Sequence, residues 1–313
     1  METLTPNSSS EPAILLIGHE SPADAGLPHE LAALGFAVVH ATGSADALHQ
    51  LRKLPHSVVI TNPDTPIAES LALLDEIRHV RPGVRVIILA ASGTPEELLA
   101  ALRRHAFLCL VAPYNLREVA HFASEAAKAE PSTIGIHVLS AQRDWISVRM
   151  NCNMLNADRL MAFFSQVRQT LPEHPPEEIL TAFQEILSNA IEHGARNDPS
   201  KLMEVAAVRT GRAFVFYVHD PGEGFRRDNL PHSALYNSPG NPAQHLAVRE
   251  QQGMRPGGYG ILLASGIVDE LIYNEPGNSV LLIKYLDDLT LAEEEAHSRE
   301  QFRTNWMTQS HSA

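Results

Sequence analysis

Cysteine is nearly absent: Cys109 and Cys152 are the two in 313 residues. Two thiols far apart make no disulfide framework and have no metal-ligand spacing. Cys109, in an apolar run of strand length, reads as a core thiol; Cys152, in a polar segment, reads as a stray one. Basic charge is scarce too, with 24 Lys and Arg against 37 Asp and Glu, a net charge of −13. Residues 1–130 hold 9 basic and 15 acidic side chains and the remainder 15 and 22, so neither half carries an overall basic field. Nucleic acid is therefore not an expected partner. No run of about 18 apolar residues occurs, and the stretch from Met1 to Pro12 is polar and acidic rather than signal-like, which points to a cytoplasmic protein with no membrane partner. The 16 histidines are scattered and suggest no zinc site. What is present, 44% hydrophobic and 19% charged residues, is ordinary for globular domains, and the length has room for two.

Over the first 130 residues, apolar runs of strand length alternate with amphipathic helical stretches. The strand candidates are Ala13–Ile17, Ala37–Val39, Ser57–Thr61, Val84–Ala90 and Phe107–Val111. Helices are expected near Gly26–Leu34, Ser44–Leu54, Ala68–Val80, Pro95–Arg104 and Leu116–Ala129. Five βα units imply a parallel sheet covered on both faces. Ala129-Glu-Pro-Ser132 marks a hinge, after which Ser132 to Val148 alternates like strands.

Three segments of the second half carry chemistry. In Glu185-Ile-Leu-Ser-Asn189-Ala-Ile-Glu-His193, inside an apolar-periodic stretch, Glu185, Asn189 and His193 recur every four residues and share one helical face. Glu185 and Asn189 offer hard oxygen ligands suited to Mg²⁺ held between a helix and phosphates, and a carboxylate one turn from the ion can take a proton from a hydroxyl. Asp220-Pro-Gly222-Glu-Gly224-Phe225 follows the alternating run Ala213–His219, a strand signature. A carboxylate at that strand end can accept a hydrogen bond from an exocyclic amine such as adenine N6, while Gly222 and Gly224 let the backbone approach a flat base. Gly257-Gly258-Tyr-Gly260 then opens an apolar helix, where free N–H groups and the positive helix end favour phosphate. All three suit ATP.

In order and spacing these segments resemble the ATP-binding domain shared by histidine kinases, gyrase-type ATPases and bacterial anti-sigma-factor serine kinases, over about residues 133–286. The serine-kinase branch, with E-x-x-x-N-A-x-x-H-G on its helix, is closest to Glu185 through Gly194. The resemblance implies an α+β Bergerat sandwich in which Asn189 coordinates Mg²⁺, Glu185 is the general base, Asp220 contacts adenine, and Gly222, Gly224, Gly258 and Gly260 shape the pocket. His193 stands open between the pocket and a helix-terminal histidine beside Gly194. The resemblance also sets the helix from Leu155 to Leu171 beside the motif helix, and a lid over the loop from Leu230 to Arg255, with Arg249 and Arg255 as its cations. No phospho-accepting histidine on a helical hairpin precedes the domain, so histidine autophosphorylation is disfavoured.

The first half resembles a response-regulator receiver, a flavodoxin-like α/β fold with its site at the carboxyl ends of the strands. Where a working receiver has an acidic pair, a phospho-accepting Asp and a Lys before Pro, this chain has Gly18-His19-Glu20, Asn62, and Ala112 before Pro113. A carboxamide does not form the acyl phosphate, so the expectation is a degenerate receiver used for docking or dimerisation. Asp64, between Pro63 and Pro66, reads as a turn residue rather than a displaced acceptor.

The expected organisation is a receiver-like α/β domain over 1–130, a histidine-kinase-like α+β ATPase domain over 131–286 and an acidic then polar tail over 287–313. The expected activity is transfer of phosphate from ATP, with Mg²⁺, to a Ser or Thr of a partner protein. By resemblance that partner is an anti-sigma-factor antagonist, the regulated output a sigma factor, and a homodimer is left open. The alternative is a signalling adaptor that binds ATP, or only its partner, without catalysis.

Overall fold

The structure is a computed structural model that describes residues 13–18, 26–53, 56–170, 176–224, 251 and 259–286. It divides into two compact units, residues 1–143 with 153–170, and residues 144–152 with 171–313.

The first unit is built on a parallel sheet of β1 (Ala13–Ile17), β2 (Ala37–Ala41), β3 (His56–Ile60), β4 (Arg85–Ala90) and β5 (Leu108–Val111), in the order β2-β1-β3-β4-β5. The connecting helices are α1 (Leu27–Ala33), α2 (Ser44–Lys53), α3 (Ile67–Val80) and α4 (Pro95–Arg103), with α5 (Leu116–Lys128) after the last strand. β3, β4 and β5 are buried almost throughout, as strands covered on both faces must be, so they read as unbroken apolar runs rather than as alternation. Helix starts are encoded locally: the Thr94 hydroxyl accepts from Glu97 N (3.3 Å) while the Glu97 carboxylate accepts from Thr94 N (2.9 Å), a capping box followed by Pro95 at the first helical position. The expected α/β class, five strands and five helices are all present, with ends shifted by one or two residues.

Two further elements belong to this unit, β6 (Ile136–Gln142) and α6 (Met154–Thr170). The family resemblance set α6 beside the motif helix, whereas the structure groups it with the receiver-like sheet. The reason lies in two polar side chains that a periodicity reading passes over. β5 is the last strand of its sheet and leaves backbone groups open, and Arg159 Nε donates to Phe107 O at 2.8 Å while Gln166 Oε1 accepts from Val111 N at 2.8 Å. Arg159 Nη1 also reaches Ile134 O and Asn156 Oδ1, both at 2.9 Å, and the guanidinium lies 4.0 Å over the Phe107 ring. Burial pushes its pKa down to about 9. α6 therefore closes an edge that would otherwise present unpaired groups.

In the second unit β7 (Trp145–Asn151), β8 (Leu202–Arg209), β9 (Ala213–His219), β10 (Glu270–Tyr273) and β11 (Ser279–Tyr285) run β10-β11-β9-β8-β7, each antiparallel to its neighbour. One face of the alternation is buried, with Ile146, Phe216 and Leu282 in one row and Val148, Val205, Val218 and Val280 in the next. α7 (Glu177–Asn189) lays its apolar stripe on that face, where Phe183 meets Phe216 at a ring-centroid distance of 4.6 Å. α8 (Gly260–Ile267) packs against α7. This is the α+β sandwich expected of the second half. Among the described residues no helix is long and apolar enough to cross a membrane.

Candidate functional site

The site forms where α7, the end of β9 and the start of α8 converge, and glycines set how closely they approach. Glu185 and Asn189 are half-buried on the polar side of α7, and neither side chain forms a hydrogen bond with another described residue. They face the first residue of α8: a Cβ on Gly260 would lie 2.6 Å from Glu185 Oε2 and 3.2 Å from Asn189 Nδ2. Any larger residue there would force the two polar groups away.

Past Asn189 the helix widens into a π turn, Ala190–Gly194, in which Ala195 N donates to Ala190 O at 2.8 Å. Such turns recur at functional sites because they re-aim the following residues. Here the turn brings Gly194 onto the Asp220 carboxylate so closely that a Cβ would collide with Oδ1. A Cβ on Gly222 would lie 2.7 Å from both Asp220 Oδ1 and Gly194 O. Gly224 has φ +80°, in the left-handed region that suits glycine, and a Cβ there would run into Pro276 O.

Asp220 is half-buried. Loss of solvent pushes its carboxyl above the ordinary 3.8, an effect only partly offset by the hydrogen bond Oδ1 accepts from Gly222 N at 2.8 Å. Cys152 is not a stray thiol. It is fully buried, its pKa pushed up to about 11 first by burial and then by the charge of Asp220, which marks it as a neighbour of the site. Cys109 is buried in β5, as expected, with its thiol pushed up to about 12.

The structure thus gathers Glu185, Asn189 and Gly260 at one end of the site and Asp220, Gly222 and Gly224 at the other. His193 lies on the π turn with an exposed side chain. Gly258, Arg249 and Arg255 lie outside the described residues, as do His19, Glu20 and the tail over 287–313. Sequence reasoning gave Gly194 only as a helix end and overlooked the turn between β10 and β11, whose Pro276 and Asn278 face Gly224. The one available signal was the Pro276-Gly-Asn278 turn itself.

At the carboxyl ends of the first unit's strands, Asn62 packs on Gly18, whose φ is +101° and whose added Cβ would lie 2.7 Å from Asn62 Cβ. Asn62 Oδ1 accepts from Asp64 N at 2.9 Å, and Asp64 itself is exposed in the turn. Nearby, a Cβ on Gly93 would lie 2.6 Å from Ile67 Cδ1 and 3.0 Å from Val111 Cγ2, so apolar side chains fill that corner.

Comparison with known proteins matches residues 151–284 to the family described as histidine kinase-like ATPase domain. The anti-sigma F factor of Anoxybacillus flavithermus is 28% identical over 128 residues, covering 40% of this chain and 78% of that protein. The transcriptional regulatory protein GlrR of Escherichia coli is 32% identical over 108 residues, covering 34% of this chain and 24% of that protein, about a quarter of its length. Among solved structures, a response regulator from Thermotoga maritima is 19% identical and covers 38% of this chain and 99% of its own, with a TM-score of 0.35. A receiver domain protein from Clostridium thermocellum is 27% identical and covers 37% and 93%, with a TM-score of 0.33. Residues 151–284 are thus similar to the histidine kinase-like ATPase domain, in a chain whose first unit is a five-stranded parallel α/β fold.

Proposed function

We propose that the chain is a cytoplasmic ATP- and Mg²⁺-dependent protein serine/threonine kinase of the anti-sigma-factor type, its nucleotide domain spanning residues 131–286 in sequence while β6 and α6 within that range belong to the first compact unit. The observation that carries this is the pair of half-buried side chains, Glu185 and Asn189, without a hydrogen bond to another described residue and set against Gly260, where an added Cβ would lie 2.6 Å from Glu185 Oε2. The likeness to an anti-sigma F factor supports the branch.

ATP with Mg²⁺ supplies the phosphoryl group and neutralises charge on it. Asn189 would hold the ion through its amide oxygen, a hard ligand that suits Mg²⁺. Asp220, its carboxyl pKa raised above the ordinary value by burial, accepts from the adenine N6 amine, and Gly194, Gly222 and Gly224 keep Cβ atoms out of the base's path. Gly260, with Gly258, brings backbone N–H groups at the head of α8 toward phosphate. Glu185 takes the proton from the attacking hydroxyl. His193 belongs to the same pocket in this reading. The partner is a small anti-sigma-factor antagonist, with a sigma factor as the regulated protein and a homodimer as the working assembly. The receiver-like domain, residues 1–130, is non-phosphorylatable and serves docking or regulation, a reading supported by Asn62 packed on Gly18.

Incubation with γ-labelled ATP and a candidate antagonist, wild type against Glu185→Gln, tests the proposal. Label transferred by the wild type and lost in the variant is the expected result. Equal label in both, or none in either alongside measurable ATP binding, leaves the non-catalytic adaptor instead.

A further inference from the structure

The turn joining β10 to β11 does more than close a hairpin. Asp220 N donates to Asn278 O at 2.9 Å, so the main chain of the turn fixes the residue that carries the carboxylate. The Asn278 side chain then reaches across the loop, its Nδ2 donating to Gly222 O at 3.1 Å. Its other end is held as well: Asn278 Oδ1 accepts from Asn274 Nδ2 at 2.9 Å. Asn274 is anchored in turn, its Oδ1 accepting from Gly277 N at 2.9 Å and from Ser279 N at 3.0 Å. Below this chain of amides, Pro276 O occupies the space that a Cβ on Gly224 would need.

The orientation of the Asn278 amide follows from its neighbours. Turned the other way, its oxygen would face the Gly222 carbonyl and its nitrogen the Asn274 amide group, losing both bonds and setting like against like. Asn274 and Asn278 therefore form a directional relay that ends on the loop from Asp220 to Gly224. That loop carries the one carboxylate assigned to the base, and a 1 Å misplacement of a polar acceptor is enough to forfeit a hydrogen bond.

We infer that Asn278, braced by Asn274, is the positioning residue that sets base selectivity at this site. It holds Asp220 where it accepts from the amine of adenine and repels the carbonyl oxygen that guanine presents at the same place. The inference rests on the nucleotide reading above and deepens it.

The test compares ADP, GDP and tripolyphosphate, each with Mg²⁺, by calorimetry on the full chain. Wild type is expected to prefer ADP over GDP by roughly 100-fold or more, since a site built for a donor rejects a ligand that lacks it. Asn278→Ala should lower that preference by about tenfold, the worth of one well-placed hydrogen bond, while tripolyphosphate affinity and the unfolding temperature stay close to wild type. Asn274→Ala, at an exposed position, should move the preference in the same direction by a smaller factor, and it decides the matter if Asn278→Ala does not fold. An unchanged ADP-to-GDP ratio in the folded variants overturns the positioning role and leaves the nucleotide site standing. Absence of ADP binding by the wild type overturns both.

Discussion

At the scale of single residues, the site is defined as much by missing Cβ atoms as by the side chains present. Gly194 shows this most sharply, because the three nearest atoms that a Cβ there would meet all belong to the Asp220 side chain. Gly194→Ala should push that carboxylate aside and weaken ADP binding about tenfold or more, given that overpacking costs about 1–3 kcal/mol. Calorimetry checks it, with Gly211→Ala as the control, since a Cβ at Gly211 meets nothing within 4 Å. Equal affinity in both variants would show that the carboxylate has room to move. His56 sets a second expectation, of pH dependence. It is 5% exposed at the start of β3, and neither ring nitrogen has a hydrogen-bond partner among the described residues. The Ala13 main chain lies near and favours the protonated ring, but not in bonding geometry, and burial outweighs it; burial and the nearby Arg81 together hold the pKa below 6.5. The unfolded chain therefore binds this proton more readily than the folded one, so its contribution is intact above 6.5 and is lost as pH falls through that value. The slope is at most about 1.4 kcal/mol per pH unit. Unfolding temperatures at pH 7.5 and 5.5 should diverge less in His56→Leu than in wild type, and an identical acid limb in both would assign the effect elsewhere.

At the scale of elements, α6 carries the expectation with most at stake. Arg159→Met keeps most of the side-chain volume but leaves the carbonyls of Phe107 and Ile134 without their donor. Each buried unpaired acceptor costs about 1–3 kcal/mol, partly offset because a guanidinium no longer has to be desolvated. A net destabilisation of about 2 kcal/mol should appear in urea unfolding of the full chain, and a variant as stable as wild type would mean that α6 docks through its apolar contacts alone. This helix also marks where the sequence stops being legible. The ten elements from β1 to α5 could be read from period and punctuation because each is encoded locally, by apolar runs, Pro95 after Thr94, and turn residues. Glu185, Asn189 and Asp220 could be read because motif spacing on a helix and at a strand end is local as well. The packing of α6 is not local: it depends on where Arg159 finds carbonyls some 25 to 52 residues away. The burial of Cys152 was hidden for the same reason, since the polar residues flanking it say nothing of Asp220, far along the chain. The amide relay at Asn274 and Asn278 was hidden too, because its target, Gly222 O, lies 56 residues away.

At the scale of the whole molecule, a parallel α/β unit and an antiparallel α+β unit stand in one chain, and they differ in which polar side chains are left unbonded. In the second unit the Glu185 carboxylate and the Asn189 amide, beside Gly260, make no hydrogen bond to another described residue, whereas in the first Asn62 packs on Gly18 and accepts from Asp64 N. Restoring the acceptor alone should therefore not restore receiver chemistry. Asn62→Asp returns a carboxylate to the end of β3, yet it leaves Gly18 where an acid would help to hold a metal, and Ala112 where a lysine would offset the incoming charge. The new carboxylate would also stay wedged on Gly18, whose backbone at φ +101° gives no room for a compensating side chain, and its outer oxygen would remain the acceptor for Asp64 N. Incubation of Asn62→Asp with acetyl phosphate and Mg²⁺ should accordingly yield no hydroxylamine-sensitive phosphoprotein on a phosphate-affinity gel, the same result as for wild type. If the chain is the kinase proposed above, its phosphate transfer should likewise be unaffected by acetyl phosphate. A retarded band in the variant that hydroxylamine removes would show that only the amide stands between this fold and phosphorylation, and control of the molecule would then have to be sought in acyl-phosphate chemistry rather than in what docks on its first unit.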